Sequence, residues 1–162
     1  MTEKKIKSPQ ALKIILSRLQ KQGRKVVFTN GCFDLLHSGH VCLLEKAKSF
    51  GDCLVVAINT DSSVRRLKGK LRPIIPCRER ARLVAALAVV DYVVAFSQST
   101  PAQLIIRLKP DILVKGGDYR VSQVVGRESM ESWGGKVVVV PLLKGYSTTS
   151  LVEKICRQKH IG

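Results

Sequence analysis

Two of the three histidines in this chain of 162 residues, His37 and His40, lie three residues apart, with Gly39 between them. They follow an apolar run, at a place where a helix is predicted to begin. The N-terminus of a helix presents unpaired N–H groups and the positive end of its dipole, and both favour phosphate. Imidazoles at such a position can donate hydrogen bonds to a phosphate whose charge grows in a transition state. The spacing therefore indicates phosphate chemistry.

The local sequence adds detail to this prediction. Ser38 is expected to cap the helix, which places His40 in its first turn. Gly39 has no side chain, so an anion could approach the backbone between the two imidazoles. A structural or surface role is the first alternative, because most lone histidines have one.

Zinc binding and covalent catalysis are two further alternatives. Four residues of this segment carry metal-binding atoms: Cys32, His37, His40 and Cys42. Their spacing matches no standard structural zinc pattern, and the chain has no Cys-x-x-Cys pair. Ser38 or Cys32 could be a nucleophile activated by a histidine, yet the Gly-x-Ser-x-Gly elbow is absent. Direct transfer without a covalent intermediate fits better.

The elements that must position these residues follow from the apolar pattern. A helix is predicted at residues 9–22, before the first strand, and another at residues 149–157, after the last. Runs rich in β-branched residues predict five strands, at residues 25–29, 53–58, 91–96, 111–115 and 136–140. The runs are continuous rather than alternating, which is typical of strands that are covered on both faces.

Three more helices are predicted between the strands, from apolar positions three and four residues apart. Their faces are, in chain order, Val41, Leu44, Ala47 and Phe50; Leu83, Val84, Leu87 and Ala88; and Leu104, Ile105 and Leu108. Alternating strands and helices predict parallel strands with right-handed crossovers. The predicted fold class is α/β, a Rossmann-like doubly wound sheet of about five parallel strands with helices on both faces.

Polar and glycine residues follow four of the five predicted strands, where ligands bind in open α/β sheets. They lie at residues 30–34, 59–61, 115–118 and 145–149. Because the carboxyl ends of parallel strands meet at one edge, the four loops are predicted to form one site. We expect a single domain over residues 1–162, with its core at about residues 25–155 and solvated basic ends.

The composition limits the class of protein. A hydrophobic content of 45% with 25% charged residues argues against disorder, and no apolar run is long enough to span a membrane. Five cysteines, an odd number, indicate reduced thiols, and the start of the chain lacks the apolar segment of a signal peptide, so a cytoplasmic location is expected. The net charge of +16 attracts anions. A basic nucleic-acid-binding module is thus an alternative, although only 5% of the residues are aromatic and no helix-turn-helix, RRM or KH signature is present.

The motifs resemble those of a known superfamily. Gly31-x-Phe33-Asp34 followed by His37-x-Gly39-His40 resembles the signature of the nucleotidyltransferases that include the cytidylyltransferases and pantetheine-phosphate adenylyltransferase. The sequence 147–149, Ser-Thr-Thr, resembles their second phosphate-binding motif. Within the superfamily, four segments resemble the D-glycero-β-D-manno-heptose 1-phosphate adenylyltransferases of bacterial ADP-heptose synthesis: VVFTNGCFDLLHSGH, NTDSSVRRLKGKLRPIIP, LKPDILVKGGDY and GYSTTSLVEKI. Together they span about residues 25–155.

This resemblance implies transfer of AMP from ATP to heptose 1-phosphate, giving ADP-heptose and pyrophosphate, for lipopolysaccharide core or another heptose-containing glycan. The sugar phosphate oxygen would attack the α-phosphorus directly. Mg²⁺ is expected mainly on the triphosphate, because no carboxylate cluster suggests a protein cage. The partners would be these small molecules, with no membrane and no specific nucleic acid, and a homodimer is expected. In many bacteria the domain is fused behind a sugar kinase, so this chain would be the stand-alone form.

A related transferase of the same fold is an alternative, either a glycerol-phosphate-type cytidylyltransferase or an FMN adenylyltransferase. Cytidylyltransferases carry an arginine shortly before the Ser-Thr-Thr motif, where this chain has Leu142 and Leu143. The difference favours ATP over CTP.

The resemblance also implies roles for particular residues. His37 and His40 would contact the α- and β-phosphates, with Lys68 closing over the triphosphate. Asp34 and Asp61 are assigned a structural or substrate-side role, and no residue is assigned to a metal. The nucleotide- and phosphate-binding set is Thr29, Asn30, Gly31, Cys32, Phe33, Gly39, Arg72, Arg80, Lys115, Gly116, Gly117, Asp118, Ser147 and Thr148.

Three of these assignments are more specific. Arg80 would contact the β- and γ-phosphates, and Asp118 would bond a ribose or sugar hydroxyl. Gly116 and Gly117 would let the backbone approach the nucleotide. Trp133 and Tyr119 are interpreted as packing residues, with Tyr119 at the border of the site.

Overall fold

The computed structural model describes residues 2–117, 119–143 and 145–158. Five strands form one parallel sheet: β1 (Val26–Gly31), β2 (Cys53–Asn59), β3 (Tyr92–Phe96), β4 (Ile112–Gly116) and β5 (Lys136–Val140). The described residues also form seven α-helices: α1 (Pro9–Lys21), α2 (Ser38–Lys48), α3 (Asp61–Lys68), α4 (Cys77–Ala86), α5 (Ala102–Leu108), α6 (Arg127–Ser132) and α7 (Thr148–Gln158).

The order of the strands across the sheet is β3-β2-β1-β4-β5. The chain therefore winds outward from β1 to β3, crosses back over the sheet, and continues on the other side through β4 and β5. The reversal leaves a crevice between the carboxyl ends of β1 and β4, where doubly wound sheets bind their ligands. The α/β fold class and all five predicted strands are confirmed.

Two apolar cores lie on opposite faces of the sheet, because successive strand residues point to opposite sides. Phe28 belongs to one core, with α1, α5 and α6. Val27, the next residue back, belongs to the other, with α2 and α4. All seven residues of β2 are buried, which explains its continuous apolar run.

Two aspartates bind backbone amides near the starts of β1 and β2. Asp91 accepts a hydrogen bond from the N–H of Leu54 at 2.7 Å. Asp111 accepts one from the N–H of Val26 at 2.8 Å. These bonds satisfy donors that the parallel ladder leaves free, so the two aspartates between helix and strand have a structural role.

The apolar face predicted for the helix before β3 is wrong at Leu83, Leu87 and Ala88. α4 begins at Cys77 and ends at Ala86, so the predicted positions 87 and 88 lie beyond it. Its buried apolar positions are Ala81, Val84 and Ala85, whereas Leu83 is 44% exposed. The small alanines face the sheet at helical spacing, and the larger leucine was mistaken for part of that face.

The basic N-terminal arm is not a solvated tail. Residues Thr2–Lys5 form a 3-10 helix, and Lys5 Nζ donates to the carbonyl oxygens of Val90 at 2.6 Å and Leu87 at 3.2 Å. Ile6 then forms an isolated parallel bridge with Val93. The arm therefore covers part of the β3 edge, which would otherwise be free to pair with another chain.

Within the described segments, no helix combines the length and apolar character needed to cross a bilayer.

Candidate active site

A cavity of about 620 Å³ opens at the carboxyl ends of the strands, beside the crevice between β1 and β4. Its volume lies within the range of small-molecule sites. Of the four loops predicted to form one site, those after β1, β4 and β5 contribute to its lining, whereas the loop 59–61 contributes only Asn59. The end of α3 and the segment 99–101, after β3, complete the wall.

The two histidines lie at the start of α2. His37, in extended conformation, is the N-cap residue, and its carbonyl oxygen accepts the N–H of His40 at 2.9 Å. Ser38 is the first helical residue and is exposed. The predicted cap at Ser38 is therefore wrong by one position, because the chain stays extended through His37. His40 lies in the first turn as predicted.

The imidazole rings of His37 and His40 are stacked, with centroids 3.8 Å apart and planes 25° from parallel. Phe33 lies against His40 at 5.2 Å, and Tyr146 lies beyond His37 at 6.4 Å. A Cβ at Gly39 would lie 3.0 Å from two atoms of the His37 ring. The glycine therefore makes room for the His37 ring, and the rings leave no space for an anion between them, contrary to the expectation from sequence.

The protonation of the pair follows from its burial. The Nδ1 atoms of His37 and His40 are both buried, and no described group lies within hydrogen-bonding distance of either. Burial, with His37 beside it, lowers the pKa of His40 to about 4, and burial also lowers the pKa of His37. Both rings are thus neutral near pH 7. Because both Nδ1 atoms are buried, Nε2 is the ring nitrogen left to donate a hydrogen bond to a ligand.

Asp34 lines the cavity but is buried, with 1% of its surface exposed. Its carboxylate accepts hydrogen bonds from the backbone N–H groups of Ile74 and Ile75 and from the guanidinium of Arg72. Burial alone would raise the pKa of Asp34, but these donors hold it below its ordinary value. Thr148 Oγ1 donates to the Asp34 carbonyl oxygen at 2.8 Å.

The predicted phosphate-binding cations Lys68 and Arg72 both line the cavity. Lys68 is the last residue of α3 rather than a loop residue, and it is exposed. Arg72 lies in the following loop, where it pairs with Asp34 at 2.8 Å. The structure thus brings these two cations and the histidine pair to one cavity.

Arg80 and Asp61 do not line the cavity, contrary to the role predicted for Arg80. The Arg80 side chain is fully buried, and its guanidinium donates to Asp61 at 2.7 Å, to the carbonyl of Ile75 at 2.8 Å and to that of Cys32 at 2.5 Å. Asp61 also accepts the N–H of Cys77 at 2.8 Å. The pair anchors the start of α4 behind the site, a structural role that the sequence left open for Asp61.

The loop after β4 places Lys115 and Tyr119 on the cavity wall. Burial lowers the pKa of Lys115, whose Nζ lies 5.9 Å from the centroid of the Tyr119 ring. A Cβ at Gly116 would meet Leu142 at 2.8 Å, and one at Gly117 would meet Tyr119 at 2.6 Å. The two glycines therefore make room for the side chains of Leu142 and Tyr119. Asp118 lies outside the described residues.

The start of α7 reaches the same cavity. Ser147 Oγ accepts the N–H of Ser150 at 3.0 Å, so Ser147 caps the helix. Ser147 and Thr148 both line the cavity, together with Tyr146, which is 49% exposed.

Most of the predicted residues of the first loop lie on the wall: Asn30, Gly31, Cys32, Phe33 and Gly39. Thr29 does not, since it is fully buried in β1. Burial raises the pKa of the Cys32 thiol, an effect that nearby cations only partly offset, so the nucleophilic thiolate is disfavoured. Trp133 packs against the core and donates to the Pro110 carbonyl, as expected of a packing residue.

The sequence pattern does not predict Ser99, Thr100 and Gln123 on the wall, whereas Asn59 and Tyr146 lie in predicted site loops without a role of their own. Ser99 and Thr100 follow β3, so the rule that ligands lie beyond the carboxyl ends of strands could have found them. Gln123 lies in the 3-10 helix Val121–Gln123, which no apolar period predicts.

Among the residues that the structure describes, no three His, Cys, Asp or Glu side chains come together as a metal site. Of the four candidate zinc ligands, Cys42 is exposed on α2 and is not part of the cavity wall.

Comparison with known proteins identifies the family. The family model for cytidylyltransferase-like proteins matches residues 28–154, and the chain belongs to that family. Bifunctional protein HldE of Koribacter versatilis is 54% identical over 154 residues, which cover 95% of this chain and 32% of that protein. The HldE protein of Magnetococcus marinus is 57% identical over 144 residues, 89% of this chain and 30% of its own. The chain thus spans about a third of the length of these relatives.

Two solved structures share the fold. The lipopolysaccharide core biosynthesis protein from Thermoplasma volcanium is 31% identical, with a TM-score of 0.62 over 76% of this chain and 99% of that one. Pantoate-beta-alanine ligase from Francisella tularensis is 18% identical, with a TM-score of 0.61 over 90% and 74% of the two chains. The second likeness concerns the fold alone.

Proposed function

We propose that this cytidylyltransferase-like protein transfers AMP from ATP to D-glycero-β-D-manno-heptose 1-phosphate, releasing pyrophosphate and forming ADP-heptose. The observation that carries the proposal is the stacked pair of His37 and His40 at the start of α2, in one cavity with Lys68 and Arg72. Two neutral donors, a helix N-terminus and two cations suit a triphosphate.

The reaction is a single displacement. An oxygen of the sugar phosphate attacks the α-phosphorus of ATP, a new P–O bond forms, and the bond from that phosphorus to the oxygen bridging to the β-phosphate breaks. Pyrophosphate leaves with the electron pair. The histidines donate hydrogen bonds from Nε2 to the α- and β-phosphate oxygens, whose charge grows in the transition state. Lys68 and Arg72 neutralise the pyrophosphate, and the rest of catalysis is positioning.

The carboxylates of Asp34 and Asp61 do not fit a protein-held Mg²⁺. Asp34 is fully used by Arg72 and the loop amides, and Asp61 lies outside the cavity wall with its Oδ1 bonded to Arg80 and Cys77. We therefore assign Mg²⁺ to the triphosphate of the bound ATP, where it keeps several waters.

The choice of ATP and of a heptose phosphate is supported by residues 108–119 and by the absence of an arginine at Leu142 and Leu143. The likeness to the Thermoplasma volcanium protein, which is a lipopolysaccharide core biosynthesis protein, supports the same product class. A cytoplasmic location and a homodimer complete the proposal.

The test is pyrophosphate release with Mg²⁺, with ATP or CTP crossed against heptose 1-phosphate or glycerol 3-phosphate. Release with ATP and heptose 1-phosphate alone is the expected result. Release with CTP and glycerol 3-phosphate would retain the chemistry and overturn both substrates. Folded protein that releases pyrophosphate with no pair would overturn the proposal.

A further inference from the structure

The Asp34 carboxylate collects donors from one short loop. Arg72 Nε and Nη2 each lie 2.8 Å from Oδ2, the N–H of Ile74 lies 2.9 Å from the same oxygen, and the N–H of Ile75 lies 3.0 Å from Oδ1. A carboxylate that is only 1% exposed is costly unless it is paired and hydrogen bonded. All of its partners come from residues 72–75, so the loop after Lys68 is held on this one buried anion.

The ion pair also fixes the direction of Arg72. Nε donates a hydrogen bond to Oδ2, and Nη2 lies 2.8 Å from the same oxygen, so the Nε–Nη2 edge of the guanidinium faces the carboxylate. The three remaining N–H groups are on the other edges of the plane. Because Arg72 lines the cavity and its side chain is 17% exposed, these groups are the ones available to a phosphate.

Asp34 connects this loop to the other parts of the site. Phe33 (φ 47°) and Leu35 (φ 54°) flank it, and both lie in the left-handed region that such residues seldom adopt. Its carbonyl oxygen accepts the Thr148 hydroxyl from the start of α7, and His37 follows three residues later. Strained backbone of this kind persists where the surroundings enforce it.

We infer that Asp34 is a positioning residue, whose buried carboxylate orders the loop 69–75 and aims Arg72 at the phosphates of the nucleotide. The inference rests on the proposed function for the identity of the ligand. Asp34 lies on the cavity wall with both carboxylate oxygens bonded to this loop, and it acts on the reaction through Arg72 and the loop.

The test compares Asp34→Asn with Asp111→Asn. Both changes keep the size of the side chain and remove a carboxylate that binds backbone amides, but Asp111 does so at the opposite edge of the sheet. Four quantities are measured: the rate of tryptic cleavage at Lys68 and Lys70 in the native protein, the KM and the kcat with ATP, and the Tm.

The expected result for Asp34→Asn is cleavage in the loop at least tenfold faster and a KM for ATP at least tenfold higher. Asp111→Asn should lower the Tm while leaving the rate of loop cleavage and the KM for ATP within twofold of wild type. Loop cleavage and KM unchanged in Asp34→Asn, or changed equally in Asp111→Asn, would overturn the inference.

A double-mutant cycle with Arg72→Gln tests whether Asp34 acts through Arg72. The Kd for ATP of the double variant should lie within twofold of that of Arg72→Gln alone. If the two substitutions instead raise the Kd by factors that multiply, Asp34 does not act through Arg72. If Asp34→Asn does not fold, Arg72→Lys replaces it, since lysine keeps the charge without the planar fork. It should also speed loop cleavage, and unchanged cleavage would overturn the inference.

Failure of the proposed function remains distinguishable. If wild-type protein binds ATP in calorimetry but transfers AMP to no acceptor, the proposed function fails. The role of Asp34 is then decided by loop cleavage and by the Kd for ATP, which require no turnover.

Discussion

At the scale of single residues, the imidazoles of His37 and His40 share one environment, because their rings stack at 3.8 Å and both Nδ1 atoms are buried. Their low pKa values keep both rings neutral near pH 7. A neutral imidazole keeps one N–H group, and through it each ring can donate a hydrogen bond. A change at either ring removes a donor and disturbs the packing of the other.

His40→Asn should lower kcat by about 100- to 1000-fold, the typical loss when one donor to a developing negative charge is removed. Steady-state pyrophosphate release measures it. Cys42→Ser, an exposed change on the same helix, is the control and should retain wild-type kcat. A His40→Asn enzyme within fivefold of wild type would contradict the role of this ring.

The pKa of His40 predicts how stability depends on pH. The ordinary value of 6.5 applies to the unfolded chain and about 4 to the folded one, so between these values the unfolded chain binds more protons. The free energy of unfolding should therefore fall as pH falls from 6.5 towards 4. Asp34, with a lowered pKa, is ionised in both states over most of this window and adds little to the slope.

Urea unfolding at pH 7, 6 and 5 measures this dependence. His40→Asn should show a smaller fall in the free energy of unfolding than wild type over the same range. Equal slopes for the two proteins would contradict the buried, neutral state of His40.

Arg80 shows what residue type alone could not predict. An arginine early in a helix beside a phosphate site was assigned to phosphate, yet its guanidinium is buried against Asp61 and two carbonyl groups. The sequence shows neither the direction of a side chain nor its burial, and both depend on packing between distant segments.

At the scale of elements, α2 and α7 begin at the cavity in different ways. α7 has a side-chain cap, Ser147, whereas α2 has His37 at the cap position and no side-chain capping bond. The open N-terminus of α2 leaves its N–H groups available to a ligand, which the sequence pattern could not distinguish from a helix capped by Ser38.

Ser147→Ala should cost about 1 kcal/mol of stability, the usual value of a lost N-cap. Ser38→Ala is the matched change at the other helix and should stay within about 0.5 kcal/mol of wild type. Chemical denaturation measures both. A larger loss for Ser38→Ala than for Ser147→Ala would contradict the assignment of the two caps.

Strand positions were predicted closely because a buried parallel strand needs a continuous apolar run, and β2 and β5 carry little else. Helix faces were predicted less well. In α4 the alanines that face the sheet are small enough to be overlooked beside Leu83, and only the packed sheet decides between them.

At the scale of the whole molecule, the doubly wound topology could be inferred from the alternation of elements, and with it the edge that carries the site. The role of the N-terminal arm could not, because Lys5 bonds carbonyl groups that lie over 80 residues away in the chain. Contacts of that range have no signature in a local pattern.

The net charge of +16 should speed the encounter with anionic substrates. We expect kcat/KM for ATP to fall about tenfold as ionic strength rises from roughly 0.05 to 0.5 M, because salt screens exposed charges. Lys70→Gln, near the cavity, should reduce this dependence, and Arg18→Gln, on α1, should not. A kcat/KM that does not change with salt would contradict steering by charge.

The most direct measurement uses ATP labelled with ³²P at either the α- or the γ-phosphate, with Mg²⁺ and heptose 1-phosphate. The α-label should appear in the sugar nucleotide and the γ-label in pyrophosphate, and both should appear about 100- to 1000-fold more slowly in His40→Asn. A γ-label in the sugar product, or ATP binding without transfer of either label, would contradict nucleotidyl transfer in this cavity.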